Sequence, residues 1–200
     1  MLPNHSQRPN PCCRWLARGV GRAWRFVLLL GLCSPWLQAD DSPALEYKVK
    51  GAFLVKFGSF VEWPTLPGDA PQNEFTIGIL GADPFGPDLD DAVKSERVKG
   101  LPVRMRRAQD LAGLAGCQVV FVSRSETARW PKLLQALAGK PILTVGEDAG
   151  FAEQGGMINL YKENGRVRFE INPAAAERSG LKLSAKLLQL GRLIAEKKTA

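Results

Sequence analysis

The sequence predicts an α/β fold in which a mainly parallel sheet with an antiparallel C-terminal hairpin carries helices on both faces. Apolar strand-like runs alternate with short helical segments between residues 75 and 145, which is the arrangement of a parallel sheet covered on both sides. Asn164-Gly165 separates two further strand-like runs, and this dipeptide favours the positive φ angles of a tight hairpin turn. Amphipathic segments near both ends of the chain supply the remaining helices.

The first 39 residues have the pattern of a secretory signal peptide. Five arginines precede a short apolar core at residues 26–32, and the segment ends in the small residue Ala39. The core is far shorter than the roughly 20 residues that a membrane-spanning helix needs. An uncleaved anchor is the alternative interpretation. We expect residues 1–39 to be removed and residues 40–200 to form a single exported domain in the periplasm.

Removal of this leader limits the chemistry that the mature chain can perform. The net charge of +7 falls to +2, because the leader holds five arginines and no acid, so the high pI is no evidence for nucleic-acid binding. The only histidine, His5, lies in the leader. Its loss excludes a histidine-dependent triad and the usual Cys/His zinc site. Cys117 becomes the single thiol, so we expect no intrachain disulfide and a buried, inert side chain.

The first helix is predicted over residues 45–61, where apolar side chains recur at three- and four-residue steps. It ends before Pro64, which cannot continue a helix. Phe57 and Phe60 belong to an aromatic stripe on this helix. We interpret the stripe as core packing, and a groove for a partner or a ligand is the alternative.

The central segment predicts the strands of the parallel sheet. Residues 75–80 and 117–123 are continuous apolar runs, typical of strands buried on both faces, and residues 141–145 form another strand. Residues 81–86 resemble a phosphate-binding loop, but Pro87-Asp88 stands where such a loop needs Lys and Ser or Thr. A tight strand-to-helix turn is therefore the favoured interpretation. Short helices are expected over residues 88–95, 110–114 and 130–137.

Two charged patterns each allow a structural and a functional interpretation. Six basic residues lie between residues 94 and 107, and Arg104 and Arg106 alternate with apolar neighbours. A solvated strand face is the default, with an anionic partner surface as the alternative. Glu147 and Asp148 form an adjacent pair of carboxylates. We interpret this pair as a helix cap rather than as a calcium site, because further spaced oxygens are absent.

The C-terminal hairpin predicts which side chains face solvent. Val167, Phe169 and Ile171 alternate with Arg168 and Glu170, which is the period of a half-buried strand. We expect the three apolar side chains to be buried and the two charged ones to lie exposed on a hairpin at the sheet edge.

Two helical pieces follow the hairpin. Asn172-Pro173 has the pattern of a helix start and Gly180 that of a helix end. A last helix is expected from Ser184 onward, with three apolar side chains on one face: Leu187, Leu190 and Ile194.

Three stretches of the sequence resemble the YfiR family of periplasmic proteins. The similarity extends over about residues 45–194, nearly the whole mature chain. The stretches are KGAFLVKF with FVEWP (residues 50–57 and 60–64), IGILGADPFG (77–86), and GGMI with FEIN, AA, GL and KLL (155–158, 169–172, 175–176, 180–181 and 186–188).

This resemblance implies a periplasmic α/β protein, often dimeric and without enzymatic activity. The best-known member type binds the periplasmic part of the inner-membrane diguanylate cyclase YfiN and holds it inactive, which keeps cyclic di-GMP low and restrains biofilm formation. Members of that type carry several cysteines, whose disulfides matter for folding and redox control. The present chain departs from them, because Cys117 has no partner in its mature part.

We therefore expect a non-enzymatic regulator that binds the periplasmic domain of a membrane signalling protein and represses a diguanylate cyclase. A periplasmic small-molecule sensor is the alternative, and an enzyme with carboxylates alone would need two acids facing each other in a cleft. A protein without catalytic groups acts by contact, and an edge hairpin is a ready contact surface. The expected partner-binding residues are Arg168, Glu170, Phe57 and Phe60, with no cofactor, metal, disulfide or nucleic acid.

Overall fold

The computed structural model describes residues 42–64 and 72–195. The predicted signal peptide lies outside these residues. Within this part of the chain, two 3₁₀ turns, Ala112–Leu114 and Arg124–Glu126, accompany the helices and strands. In chain order these elements are α1 (Pro43–Phe60), β1 (Val61–Glu62), β2 (Phe75–Leu80), α2 (Pro87–Val93), β3 (Arg97–Val98), β4 (Leu101–Ala108), β5 (Val119–Val122), α3 (Trp130–Leu137), β6 (Leu143–Gly146), β7 (Ile158–Glu163), β8 (Arg166–Ile171), α4 (Pro173–Arg178), β9 (Lys182–Leu183), α5 (Ala185–Leu190) and β10 (Arg192–Leu193).

The main sheet has eight strands in the order β10-β8-β7-β6-β5-β2-β4-β3. The five strands from β7 to β4 in this order run parallel to one another, and β7 and β8 form the antiparallel hairpin around Asn164-Gly165. The predicted fold class is therefore confirmed. The predicted position of the hairpin at the sheet edge holds for residues 166–169 only, because Arg192 and Leu193 of β10 pair in parallel with Glu170 and Ile171 of β8.

The central strands are buried along their whole length because helices cover both faces of the sheet. Every residue of β2, β5 and β6 is buried. Side chains that alternate along these strands enter two separate apolar clusters. Ile77 and Phe121 pack on the face that carries α1, α2, α4 and α5, whereas Leu80 and Val120 pack on the face that carries α3. This alternation explains why no period of two is visible in the sequence of these strands.

Helix α1 forms as its sequence predicts and extends two residues further towards the N-terminus. The Ser42 hydroxyl accepts a hydrogen bond from the Leu45 amide at 3.3 Å, and Pro43 occupies the first turn, where its missing N–H costs nothing. Gly58 allows the sheet to approach closely, because a Cβ there would lie 2.7 Å from the Phe75 ring. The helix ends at Phe60, and the chain continues as β1, which pairs with β9.

The last predicted helix is shorter than its apolar pattern indicates. Helix α5 ends at Leu190, and Gly191 is extended with φ −97° and ψ 158°. A Cβ at Gly191 would lie 2.7 Å from Ile171 Cδ1, so the chain can pass close to β8 and enter β10 only at a glycine. Leu187 is buried but Leu190 is 63% exposed, so the expected face of Leu187, Leu190 and Ile194 does not form. Of the helices in the described residues, none has the length and hydropathy to cross a bilayer.

Candidate functional site

An apolar groove lies along the outer face of α1. Three adjoining depressions form it, and each is lined in part by Phe53. We call this surface the Phe53 groove and define it by Leu45, Val49, Phe53 and Phe60 of α1, Val167 and Phe169 of β8, and Leu190 of α5.

The floor of the Phe53 groove is a cluster of three phenylalanine rings. Phe53 stacks on Phe57 with a centroid distance of 5.7 Å, and Phe169 meets both rings edge-on at 5.5 and 5.2 Å. Edge-to-face and offset pairs of this kind are favourable beyond the area that they bury. Phe57 is only 1% exposed, so it supports the groove from below, while Phe53 forms its half-buried surface.

The expected partner-binding residues occupy different positions relative to this groove. Arg168 lies exposed at the rim, as predicted, and its Nε is 3.0 Å from Glu163 Oε2. Phe60 is half-buried, with the Lys186 ammonium 5.7 Å from its ring centroid. Phe57 belongs to the core, in agreement with the favoured interpretation of the aromatic stripe as core packing.

The predicted exposure of Glu170 is wrong. Glu170 is 8% exposed, since β10 lies beside β8 and places Arg192 directly opposite it. Asn159 Nδ2 donates a hydrogen bond to Glu170 Oε1 at 3.3 Å, and Arg192 Nη2 lies 3.2 Å from Glu170 Oε2. The alternation of β8 correctly predicts that Phe169 and Ile171 are buried. It does not predict that the opposite face of the strand is also covered at Glu170.

A buried ion cluster lies at the other side of α1, at the carboxyl end of β6. Lys50 Nζ donates to Glu147 Oε2 at 2.5 Å and lies 2.6 Å from Glu46 Oε1. The side chains of Lys50 and Glu147 are each 1% exposed. The Tyr47 hydroxyl donates to Glu147 Oε1 at 3.2 Å, and Arg124 Nε approaches the same oxygen at 3.6 Å. The buried charges are therefore paired, and the cluster ties α1 to the sheet.

The pKa shifts in this cluster follow from burial and from the ion pairs. Burial, followed by the negative charge of Glu147, raises the pKa of Tyr47 to about 12. The hydrogen bond from Lys50 lowers the pKa of Glu46. Tyr47 is therefore a neutral hydrogen-bond donor at neutral pH, and Glu46 is an ionised acceptor.

The interpretation of Glu147 and Asp148 as a helix cap is wrong. No helix follows them, and Asp148 instead accepts a hydrogen bond from the Thr127 hydroxyl and pairs with Arg124 at 3.3 Å. Lys50 was not among the residues that the sequence predicted for a site. The available signal was its position one turn before Leu54 and two turns before Phe57, on the buried face of α1, where a lysine requires a partner.

A second cavity, of about 500 Å³, lies between α1 and α2. Its rim carries the Lys48–Asp88 ion pair, with 3.4 Å between Nζ and Oδ2, together with Lys56 and Glu96. Its floor is apolar and aromatic, formed by Tyr47, Val55, Phe85, Leu89 and Val93.

Among the six basic residues between positions 94 and 107, Lys94, Arg104 and Arg107 pair with carboxylates, and the other three donate to backbone carbonyls. Arg107 bridges Asp83 and Asp90, at 2.7 Å from each carboxylate, and the hydrogen bond to Asp90 raises the pKa of Arg107. Arg104 and Arg106 are exposed as predicted. Arg104 pairs with Glu74, and Arg106 donates to the Ala115 carbonyl at 2.6 Å. These contacts favour the solvated-face interpretation.

The thiol of Cys117 is buried, as predicted, and it is not part of a disulfide. Burial raises its pKa, which keeps the thiol protonated and slow to react. In the part of the chain that the structure describes, no group of three or more His, Cys, Asp or Glu side chains is arranged to hold a metal ion.

Comparison with solved structures identifies a shared fold. One similar structure is an ABC domain from Streptococcus pneumonia in complex with L-Trp, with a TM-score of 0.52 and 13% sequence identity. The match covers 72% of this chain and 60% of that chain, so the present protein spans less than two thirds of its length. At this identity the similarity concerns the fold alone.

Comparison with protein families confirms the resemblance seen in the sequence. The family model described as YfiR/HmsC-like matches residues 47–192, from the second turn of α1 to the first residue of β10. The matched region includes Lys50 and Glu147 of the ion cluster, the aromatic floor of the Phe53 groove and nearly all of the main sheet. The chain therefore belongs to the YfiR/HmsC-like family.

Proposed function

We propose that this protein is a non-enzymatic periplasmic regulator that binds the periplasmic domain of an inner-membrane diguanylate cyclase. Binding represses the cyclase and so lowers cyclic di-GMP, which restrains biofilm formation. The contact is made through the Phe53 groove. The observation that carries this proposal is the exposed apolar surface of α1 and α5 on a protein of this family.

Family membership supports the general role. Proteins of the YfiR/HmsC-like family are periplasmic regulators in the diguanylate cyclase pathway, and they interact with a membrane signalling protein. The identity of the enzyme that this chain contacts, and repression as the outcome, are the parts that we propose.

The distribution of apolar side chains supports the proposed location of the contact. Single exposed apolar residues are normal on a soluble protein, whereas a contiguous apolar surface indicates an interaction site. Leu45, Val49 and Leu190 are exposed, and all three line depressions that they share with Phe53. Phe60 and Arg168 lie at the borders of the same surface. Phe57 is buried beneath this surface and Glu170 is buried beside it. We propose that both hold the contact residues in place without touching the partner.

Deletion of the gene is expected to raise cellular cyclic di-GMP and to increase surface attachment. Complementation with the Leu190→Asp variant should fail to restore the low level, because a carboxylate placed in the groove must be desolvated on binding. Leu190 is 63% exposed in the free protein, so this change should leave folding intact. Cyclic di-GMP extracted from the wild-type, deletion and complemented strains gives the measurement.

Leu193→Asp is the matched control for this experiment. Leu193 is 56% exposed but lines none of the three depressions, so its variant should restore the low level. Unchanged cyclic di-GMP in the deletion strain would reject repression. Full restoration by Leu190→Asp would reject only the Phe53 groove as the contact surface.

A small-molecule sensor is the second candidate function, and the cavity between α1 and α2 favours it. Its volume of about 500 Å³ lies within the range of ligand pockets, and it combines an apolar floor with charged groups at the rim. Ala92→Trp would fill this cavity from an exposed position that lines none of the depressions of the Phe53 groove. Regulation by contact predicts wild-type cyclic di-GMP in this variant, whereas an altered level would support the sensor.

A further inference from the structure

We infer that the element of the partner that enters the Phe53 groove is an amphipathic α-helix with carboxylates beside its apolar stripe. This inference rests on the proposed function, because it names the chemistry of the partner at the same site. It follows from the shape of the groove, from the edges of the sheet and from the charges at the rim.

The shape of the groove matches a helix of about four turns. The groove follows α1 from Leu45 to Phe60, and 15 residues at a rise of 1.5 Å give a length of about 22 Å. Leu190 contributes the opposite wall, and Phe169 belongs to the floor. The central depression exposes apolar surface alone. Apolar side chains at helical spacing are the natural complement of such a surface.

The apolar lining of the groove favours recognition through side chains over the addition of a partner strand. β-Augmentation needs an exposed edge strand with several unpaired backbone groups. β10 pairs with β8 only at Glu170 and Ile171, so the open strand edge beside the groove is confined to residues 166–169. A helix in the groove contacts apolar side chains of α1, β8 and α5 together, and this surface therefore favours a helix.

The negative charges near the groove already have partners within this protein. Glu46 contacts Lys50 at 2.6 Å and Lys162 at 3.7 Å. Glu163 contacts Arg168, and Glu170 contacts Arg192, at 3.0 and 3.2 Å respectively. None of these carboxylates is available to neutralise a cation of the partner without breaking an existing ion pair.

Three cations at the groove lack such partners. Within the described residues, Lys56, Arg166 and Lys186 have no carboxylate oxygen within 4.0 Å. Arg166 lines the depression at the Leu45 end, and Lys186 lies over Phe60 at the other end. Lys56 lines the central depression. The unpaired charge at the groove is therefore positive at both ends, which selects a partner with acidic residues beside its apolar stripe.

The test uses two synthetic helical peptides of about 18 residues, the length of four to five turns. Both carry leucines at positions i, i+3, i+4 and i+7, and they differ only in flanking glutamates or lysines. Fluorescence anisotropy with the purified exported protein is expected to show at least about tenfold tighter binding of the glutamate peptide at low salt. The difference should decrease as ionic strength rises, because salt screens these exposed charges.

Variants of the protein show which residues cause the preference for the glutamate peptide. The double variant Lys56→Glu/Lys186→Glu should bind the lysine peptide more tightly than the glutamate peptide. Leu190→Asp should weaken binding of the glutamate peptide at least about tenfold. Lys132→Glu is the control, because Lys132 is an exposed cation on α3, on the opposite face of the sheet. It should leave both affinities unchanged.

Each contrary outcome overturns a specific part of the inference. Equal affinities for the two peptides would reject the acidic partner, and absence of binding to both would reject the helix. If the protein binds phosphatidylglycerol vesicles and Leu190→Asp abolishes this binding, the groove is a membrane-binding surface instead. If light scattering shows a dimer and Leu190→Asp dissociates it, the groove binds a second copy of this chain. The cyclic di-GMP level of the deletion strain tests the proposed function independently of these results.

Discussion

Replacement of Lys50 with methionine is expected to lower the free energy of unfolding by about 3–5 kcal/mol, the range typical of a broken buried ion pair. The change removes the cation at 2.5 Å from Glu147 and leaves a carboxylate that is 1% exposed. Arg124 is 3.6 Å away but is itself largely exposed, so it compensates only in part. Urea denaturation followed by circular dichroism measures the loss.

The double variant Lys50→Met/Glu147→Leu is the control for this prediction. Removal of both charges also removes the cost of their desolvation, so most of the lost stability should return. Glu46 keeps Lys162 at 3.7 Å in this variant. A loss below about 1 kcal/mol in Lys50→Met would show that the cluster contributes no more than an exposed ion pair.

Phe57→Ala is expected to cost about 3–5 kcal/mol of stability, because it opens a cavity beneath the Phe53 groove. Phe57 is 1% exposed and contacts both Phe53 and Phe169 through their rings. The same denaturation experiment measures the cost. The partner contact should weaken as well, because Phe53 and Phe169 lose the ring that supports them beneath the groove.

Leu190→Ala provides the comparison on the same surface. Its side chain is 63% exposed, so the substitution should change stability by no more than about 0.5 kcal/mol. If Phe57→Ala also stayed within that range, the ring would not be part of the core and the aromatic floor would need another explanation.

The parts of the fold that the sequence predicts are those with local signals. The apolar runs of β2 and β5 identify buried strands, because a strand covered on both faces has no polar side. Asn164-Gly165 identifies the hairpin, with Asn164 at φ 51° and Gly165 at φ 73°. The start of α4 at Asn172-Pro173 and its end before Gly180 are visible in the same way.

The parts that the sequence does not predict depend on contacts between distant segments. The burial of Glu170 depends on β10, whose two residues continue a helical pattern and carry no strand signal of their own. Lys50 and Glu147 are separated by 97 positions along the chain, so nothing local indicates that they meet. The different burial of Phe57 and Leu190 cannot be predicted from local sequence either. Periodicity places each on an apolar face, but only the packing of α5 against α1 decides that one is covered and the other exposed.

The pairing of β1 with β9 makes the first helix dependent on the last quarter of the chain. Val61 lies opposite Leu183, and the Ser184 amide donates to the Phe60 carbonyl at 2.9 Å. Such long loops close slowly, because their entropy must be lost before the contacts form. As the polypeptide emerges with its N-terminal end first, β1 has no strand partner until residues 182 and 183 arrive. A chain that stops before Lys182 therefore leaves Val61 and Glu62 without the strand that pairs with them.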